Sequence, residues 1–301
     1  LIGFDLRISE QSAIGSASRG SRGGNSWADN SVLNAGQWCK LATGEDGIYR
    51  VNYNDMKSYG FSLSDLSSDQ IKLFGTGAGM LPFRNDAERP DDLVQIPIDL
   101  VDGGDGTFDS GDYLLFYGED QIKWTYQNEI FAHDLNPFSD SAFYFLTING
   151  TAQPAKRVQI DAVSASSTRT SEFYDYLDLY EEENVNLIKS GRRWYSLEFG
   201  SVTSKDFGFS VPNIDRSFPA RLTARYAARS IGVSGVSVAL SLPSQGGVSD
   251  VNSVSPVADF YGALYADDGA LSLSVNPSDG DLLTKFELIQ GPNLQSKAWL
   301  D

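Results

Sequence analysis

Asp102-Gly-Gly-Asp-Gly-Thr-Phe-Asp-Ser-Gly-Asp-Tyr-Leu-Leu-Phe-Tyr-Gly118 is an Asp/Gly loop that runs directly into an apolar strand. Just upstream lies the alternating run Leu93-Val-Gln-Ile-Pro-Ile-Asp-Leu-Val101. Glycine and aspartate tolerate positive φ, so two strand-like runs flank a segment built to turn. The pattern predicts a long β-hairpin. Four carboxylates, Asp102, Asp105, Asp109 and Asp112, fall on this loop. Such a group must be well solvated, share protons or hold a hard cation. Their spacing differs from that of an EF-hand loop. Two readings stay open: a calcium site of another geometry with these four as ligands, or solvated Asx-type turns.

Working outward, short alternating runs separated by Gly, Pro, Ser, Asn and Asp turns recur along the chain. In the first half they are Trp38-Cys-Lys-Leu-Ala42, Gly47-Ile-Tyr-Arg-Val51, Gln70-Ile-Lys-Leu-Phe74 and Phe143-Tyr-Phe-Leu-Thr-Ile148, with one helical turn over 54–59 stopped by Gly60. The second half carries Asp206-Phe-Gly-Phe-Ser-Val211, Arg221-Leu-Thr-Ala-Arg-Tyr226, Val236-Ser-Val-Ala-Leu-Ser-Leu242, Leu271-Ser-Leu-Ser-Val275 and Thr284-Lys-Phe-Glu-Leu-Ile289. Strands at that density predict an antiparallel sandwich or jelly roll. Between them Phe173, Tyr176, Leu177, Tyr180, Leu187 and Ile188 fall near helical spacing, with Gly191 as the stop.

The expected fold is therefore mainly β. A strand remnant and flexible linker occupy 1–30, where Ser, Gly, Ala and Arg dominate. A small β-rich domain spans 31–150 and a connector with an amphipathic helix over 173–189 spans 151–192. An antiparallel β-sandwich spans 193–301. The chain begins without Met inside Ile2-Gly-Phe-Asp-Leu-Arg-Ile8 and ends in the strand-like Ala298-Trp-Leu-Asp301, which predicts a piece of a longer protein.

With 40 acidic against 23 basic residues the net charge is −17, which argues against nucleic acid as a partner because phosphates would be repelled. No run of about 18 apolar residues is present, so no membrane-spanning segment is expected. A single cysteine excludes an internal disulfide.

Catalysis by a cysteine needs a basic partner, and the chain offers one pair, Cys39 and His133. Cys39 lies in a strand-like run beside Trp38, where an inert buried thiol is expected, and His133 lies in a polar connector. No catalytic residue is assigned. The run Gly75-Thr-Gly-Ala-Gly79 lacks the offsets of a dinucleotide fingerprint and enters Met80-Leu-Pro82, so it reads as a turn. With one His and one Cys, a zinc site of ordinary ligand type is excluded. Glu181-Glu-Glu183 reads as a solvated helix face. Tyr113, Phe116, Tyr117, Trp124 and Tyr126, and then Trp194 and Tyr195, can be core or a sugar-binding face.

Several stretches taken in order resemble one family. They are Ser31-Val-Leu33 with Trp38-Cys-Lys40, Asp46-Gly-Ile-Tyr-Arg-Val51, Ile71-Lys-Leu-Phe-Gly75 leading to Gly79-Met-Leu-Pro82, and Arg89-Pro-Asp-Asp-Leu93. Asp105 to Gly118, Tyr144-Phe-Leu-Thr147, Ser190-Gly-Arg-Arg-Trp194 and Ala298-Trp-Leu-Asp301 complete the set. Together they resemble the N-terminal, non-peptidase region of the type IX secretion sortases of Bacteroidetes, the PorU family, whose C-terminal part is a gingipain-type cysteine peptidase. The resemblance implies a cell-surface protein at the outer membrane that removes C-terminal signal domains from secreted cargo and attaches the cargo to lipopolysaccharide. It also implies three partners: the protein's own C-terminal peptidase domain, the outer-membrane protein PorV and cargo signal domains. The peptidase domain itself is not in this stretch, so the resemblance implies an accessory region that is not an enzyme as given. The alternative from another class is a stand-alone adhesive or carbohydrate-binding β module.

The composition of 12–30 makes one direct prediction. Limited trypsin digestion should cut first after Arg19 or Arg22 and leave a resistant core. Protection of this stretch equal to that of the sandwich would show that it is docked.

Overall fold

The computed structural model describes residues 29–301 except 83, 85, 129, 151, 160–170, 190–192, 232–233 and 258–263. The strand remnant and linker expected over 1–30 therefore lie, apart from Asp29 and Asn30, outside the described residues. The chain divides into two compact units, Leu1–Asp161 and Ala162–Asp301.

The first unit contains β1 (Trp38–Thr43), β2 (Gly47–Asn52), α1 (Tyr53–Ser58), β3 (Lys72–Gly75), β4 (Val94–Ile96), β5 (Asp99–Val101), β6 (Tyr113–Gly118), β7 (Lys123–Gln127), β8 (Ile130–Asp134) and β9 (Ala142–Thr147). They form a four-stranded sheet β1-β9-β3-β4, a three-stranded sheet β2-β6-β5 and a separate β7-β8 hairpin. Alternation decides what is buried. Leu114 and Phe116 of β6 face inward and meet Tyr144 and Leu146 of β9 in one core with Val51, Met56, Ile71 and Phe108. The short helix starts on a reciprocal cap: Asn52 Oδ1 accepts from Asp55 N–H and Asp55 Oδ2 accepts from Asn52 N–H, both at 2.9 Å. It ends before Gly60, whose φ of +90° suits a residue without a side chain.

The predicted hairpin is present but shorter. Val101 pairs with Tyr113 and Asp99 with Leu115 across the Asp/Gly loop, whose Gly103, Gly104, Gly106 and Gly111 all have positive φ. The upstream run 93–101 is two strands rather than one. β4 pairs with β3 in the first sheet and β5 pairs with β6 in the second. Pro97 sits at the break, where its missing N–H ends ladder pairing and lets the chain cross between sheets.

The second unit contains β10 (Leu197–Phe199), β11 (Ser204–Ser210), β12 (Ala220–Arg229), β13 (Val236–Leu242), β14 (Val248–Val254), β15 (Asp267–Val275), β16 (Asp281–Ile289) and β17 (Lys297–Leu300). The sheets are β10-β17-β12-β15 and β11-β16-β13-β14, with every strand pair antiparallel. Inward residues of both sheets make one core, in which the Phe286 ring lies 4.9 Å from Phe199 and 6.4 Å from Tyr226. Gly269 faces Tyr226 across the ladder, and a Cβ there would lie 2.7 Å from the phenol oxygen. The pair fits because one member has no side chain.

Edge strands β14 and β15, one from each sheet, are joined by side chains. Ser272 N–H donates to Asp250 Oδ2 and Asn252 Nδ2 donates to the carbonyl of Ala270, each at 2.9 Å. Backbone groups that would otherwise face water are satisfied there.

The helix predicted over 173–189 is not formed. Residues 171–184 have no regular secondary structure, and Val185 makes an isolated antiparallel bridge with Tyr195. The apolar residues that suggested a helix face serve separate contacts along the chain. Phe173 lies 6.0 Å from Phe218, Tyr180 lies 4.8 Å from Phe207, and Leu187 packs beside Tyr195 and Trp299. Tertiary contacts override the local period.

Phe286→Ala should lower stability by about 3–5 kcal/mol in urea unfolding, because it removes a fully buried ring. Ile48→Ala, at a residue 66% exposed, should change it by less than about 0.5 kcal/mol.

Candidate functional site

The Asp/Gly loop is anchored by Phe108, which is fully buried and whose N–H donates to the carbonyl of Leu66 at 2.8 Å. Ser68 N–H donates to the carbonyl of Gly106 at 3.0 Å, so the loop is stitched to the 66–68 turn. Three of the four carboxylates then accept hydrogen bonds nearby. Asp102 Oδ2 accepts from Ser68 Oγ at 2.5 Å and Oδ1 from Gly104 N–H at 3.0 Å. The Ser68 hydrogen bond, then that of Gly104, hold Asp102 below the usual carboxylate range. Asp105 Oδ1 accepts from Thr107 N–H at 2.8 Å, and Asp112 Oδ2 from Asp109 N–H at 2.6 Å. Among the described residues no three His, Cys, Asp or Glu side chains gather where they could hold a metal ion. A calcium ion takes six to eight oxygens, so a site here would need backbone carbonyls or water beside these carboxylates. Asp102 and Asp105 make Asx-type turns, each accepting from the N–H two residues on, and Asp112 closes the loop back onto Asp109 N–H.

Cys39 and His133 sit on different sheets. Cys39 of β1 stands opposite Leu146 against the first core, and burial pushes its thiol up, away from a reactive thiolate. His133 of β8 stands opposite Trp124, ring centroids 5.1 Å apart. The glycine run 75–79 is a turn that holds Glu119: its Oε2 accepts from Ala78 N–H at 2.8 Å and its Oε1 pairs with Lys123 Nζ at 2.6 Å.

The aromatics divide. Phe116 and Tyr195 are core. Tyr117 is 53% exposed and stands beside Ile48, while the Arg50 guanidinium lies 3.8 Å over the ring of Tyr113, so the outer face of β2-β6-β5 is apolar and edged by charge. Tyr126 and Phe131 pair at 4.6 Å on the hairpin, next to the exposed Ile130. These two surfaces can accept an apolar or flat partner. Sequence reasoning named Tyr117 and Tyr126 but not Phe131, whose partner is visible only once the β7-β8 register is known.

Sequence reasoning also missed Glu183. The 181–183 run is not a solvated helix face: Glu181 and Glu183 are half-buried while Glu182 is exposed. Burial, then Glu181 and Asp301, push Glu183 up to about 7.

Against this geometry, the fold is similar to the crystal structure of dimeric latent PorU from Porphyromonas gingivalis. The TM-score is 0.68 at 23% sequence identity, covering 91% of this chain and 25% of that one. The fold is PorU-like. At that identity the likeness is one of fold, and the chain spans about a quarter of the length of the protein it matches. No protein-family model matches the sequence, and no curated protein does. Among the described residues no helix is long and apolar enough to cross a membrane.

Melting curves in millimolar calcium and in chelator should coincide, since three of the four carboxylates already accept hydrogen bonds. Asp109→Ala should cost less than about 0.5 kcal/mol, whereas Asp102→Ala, which strands the Ser68 hydroxyl, should cost about 1–2 kcal/mol. A calcium-specific rise in melting temperature that Asp109→Ala abolishes would reinstate a cation site.

Proposed function

We propose that this chain is the accessory, non-catalytic N-terminal region of a PorU-like type IX secretion sortase at the cell surface. It would serve as scaffold and docking platform for that protein's peptidase domain, for the outer-membrane partner PorV and for cargo signal domains. The observation that carries the reading is the likeness of fold, which runs through 91% of the chain yet accounts for 25% of the PorU chain. It is supported by the order of family-like stretches in the sequence. The environment of Cys39, packed against a core with its thiol pushed up, supports the absence of catalysis in this part.

A second reading, a stand-alone adhesive or carbohydrate-binding β module, is favoured by one observation. Tyr117 and Tyr126, both more than half exposed, present aromatic faces of the kind on which sugar rings stack.

The two readings part on the gene and on the protein. Codons beyond Asp301 should encode a gingipain-type cysteine peptidase, and the purified chain should neither cleave peptides nor react with an active-site cysteine probe. A stop codon near that point together with saturable binding to a glycan array would favour the second reading. Stoichiometric labelling of Cys39 in the native chain would sink the non-catalytic assignment.

A further inference from the structure

Residues 180–187 form a strap on the second unit. Val185 exchanges both backbone hydrogen bonds with Tyr195, at 2.8 and 2.9 Å. Glu182 N–H donates to Ser196 Oγ at 2.8 Å, and Asn184 Nδ2 donates to the carbonyl of Ser196 at 3.1 Å. Beneath the strap Val185 and Leu187 cover Trp299, which is 1% exposed, and Ala227. The strap thus closes over apolar ground on the outer face of the sheet β10-β17-β12-β15, and a handful of hydrogen bonds holds it.

Glu183 sits in the middle of this strap, and its Oε2 is buried without a hydrogen-bond partner among the described residues. A neutral carboxyl tolerates that position far better than an ionised one. The groups around it make ionisation worse. Glu181 lies on the same strap, and Asp301 approaches from the end of β17. Two nearby cations among the described residues are directed at other carboxylates: Arg193 lies 3.6 Å from Asp301 Oδ2 and 3.5 Å from Asp268 Oδ2, and Arg225 of β12 also acts on Asp301. Glu182 is turned to Asn184, whose amide donates to its Oε2 at 2.8 Å. Tyr195, below, keeps its proton, its phenol pushed up chiefly by burial.

We propose that residues 180–187 are a pH-sensitive strap, seated while Glu183 is protonated and loosened when Glu183 ionises against Glu181 and Asp301, which uncovers the apolar ground around Trp299. This inference goes beyond the proposed function and does not rest on it. The sign follows from linkage. Glu183 is raised from 4.5 to about 7, so the seated state binds more protons than the open chain between those values. The strap's stability is full near and below the lower value and falls as pH rises through the upper one. Asp301, raised by burial and then by Glu181, contributes in the same direction.

Amide hydrogen exchange on the whole 301-residue chain tests this between about pH 5.5 and 8.5, expressed as protection factors so that base catalysis of exchange cancels. Protection of the Val185 and Tyr195 amides should fall at least about tenfold over that range, while Val238 and Leu240 of β13 stay constant. In Glu183→Gln the strap amides should become independent of pH. In Glu181→Gln, with one repelling charge gone, the midpoint should move to lower pH. Constant strap protection in the natural sequence, or a Glu183→Gln curve that follows it, would overturn the proposal.

Discussion

A proline with no amide hydrogen sets the architecture of the first unit. Pro97 stands between β4 and β5, and because it cannot donate to a ladder the chain leaves one sheet there and enters the other. Ile98, the next residue, is fully buried, and it bonds instead with a later stretch: its N–H donates to the carbonyl of Lys156 at 3.4 Å and its carbonyl accepts from Val158 N–H at 3.0 Å. Arg157 ties the same stretch down by donating to the carbonyls of Ser68 and Ile71. The crossing links the two sheets covalently over their shared core, and the Asp/Gly loop that follows is closed by Phe108 entering that core. The loop's carboxylates are then free to shape turns at the surface.

The second unit answers a different constraint, that of closing a sandwich without leaving sheet edges bare. On one side β14 and β15 satisfy each other through Asp250 and Asn252. Toward β11 the chain before β10 does related work: Tyr180 lays its ring on Phe207, and Lys205 Nζ donates to its hydroxyl at 3.2 Å. β17, inserted between β10 and β12, carries Trp299 on the outer face of its sheet, where Glu198 Oε2 accepts from the indole N–H at 3.0 Å and Glu198 Oε1 pairs with Lys297. The tryptophan needs a cover, and the strap of 180–187 supplies it at the cost of placing Glu183 among carboxylates.

The PorU-like fold carries two exposed aromatic surfaces, one on each of two separate sheets of the first unit. The charge of −17 keeps such a surface soluble and selects against polyanions. Ile48 and Tyr117 make the outer face of β2-β6-β5 apolar, Arg50 over Tyr113 adds a charge at its edge, and Tyr126, Ile130 and Phe131 form an apolar patch on the β7-β8 hairpin.

Much of this was legible in the residues themselves. Period-two alternation marked β13 to the residue and most of β11, β12, β15 and β16, because a half-buried strand must alternate. Gly60 and the loop glycines marked positive φ, since few other residues accept it. The strand β14 was not legible: its valines at 248, 251 and 254 do not alternate, and as an edge strand it needs no apolar face. The irregular course of 171–187 was not legible either, because Phe173, Tyr176, Leu177 and Tyr180 satisfy a helical period locally, while Phe173 and Tyr180 find their partners Phe218 and Phe207 far away in sequence. The unpartnered oxygen of Glu183 had no local signature at all. Local sequence determines the backbone's preferences through sterics and alternation, whereas long-range packing alone decides which of two permitted conformations buries more surface and which charged group is left without a partner.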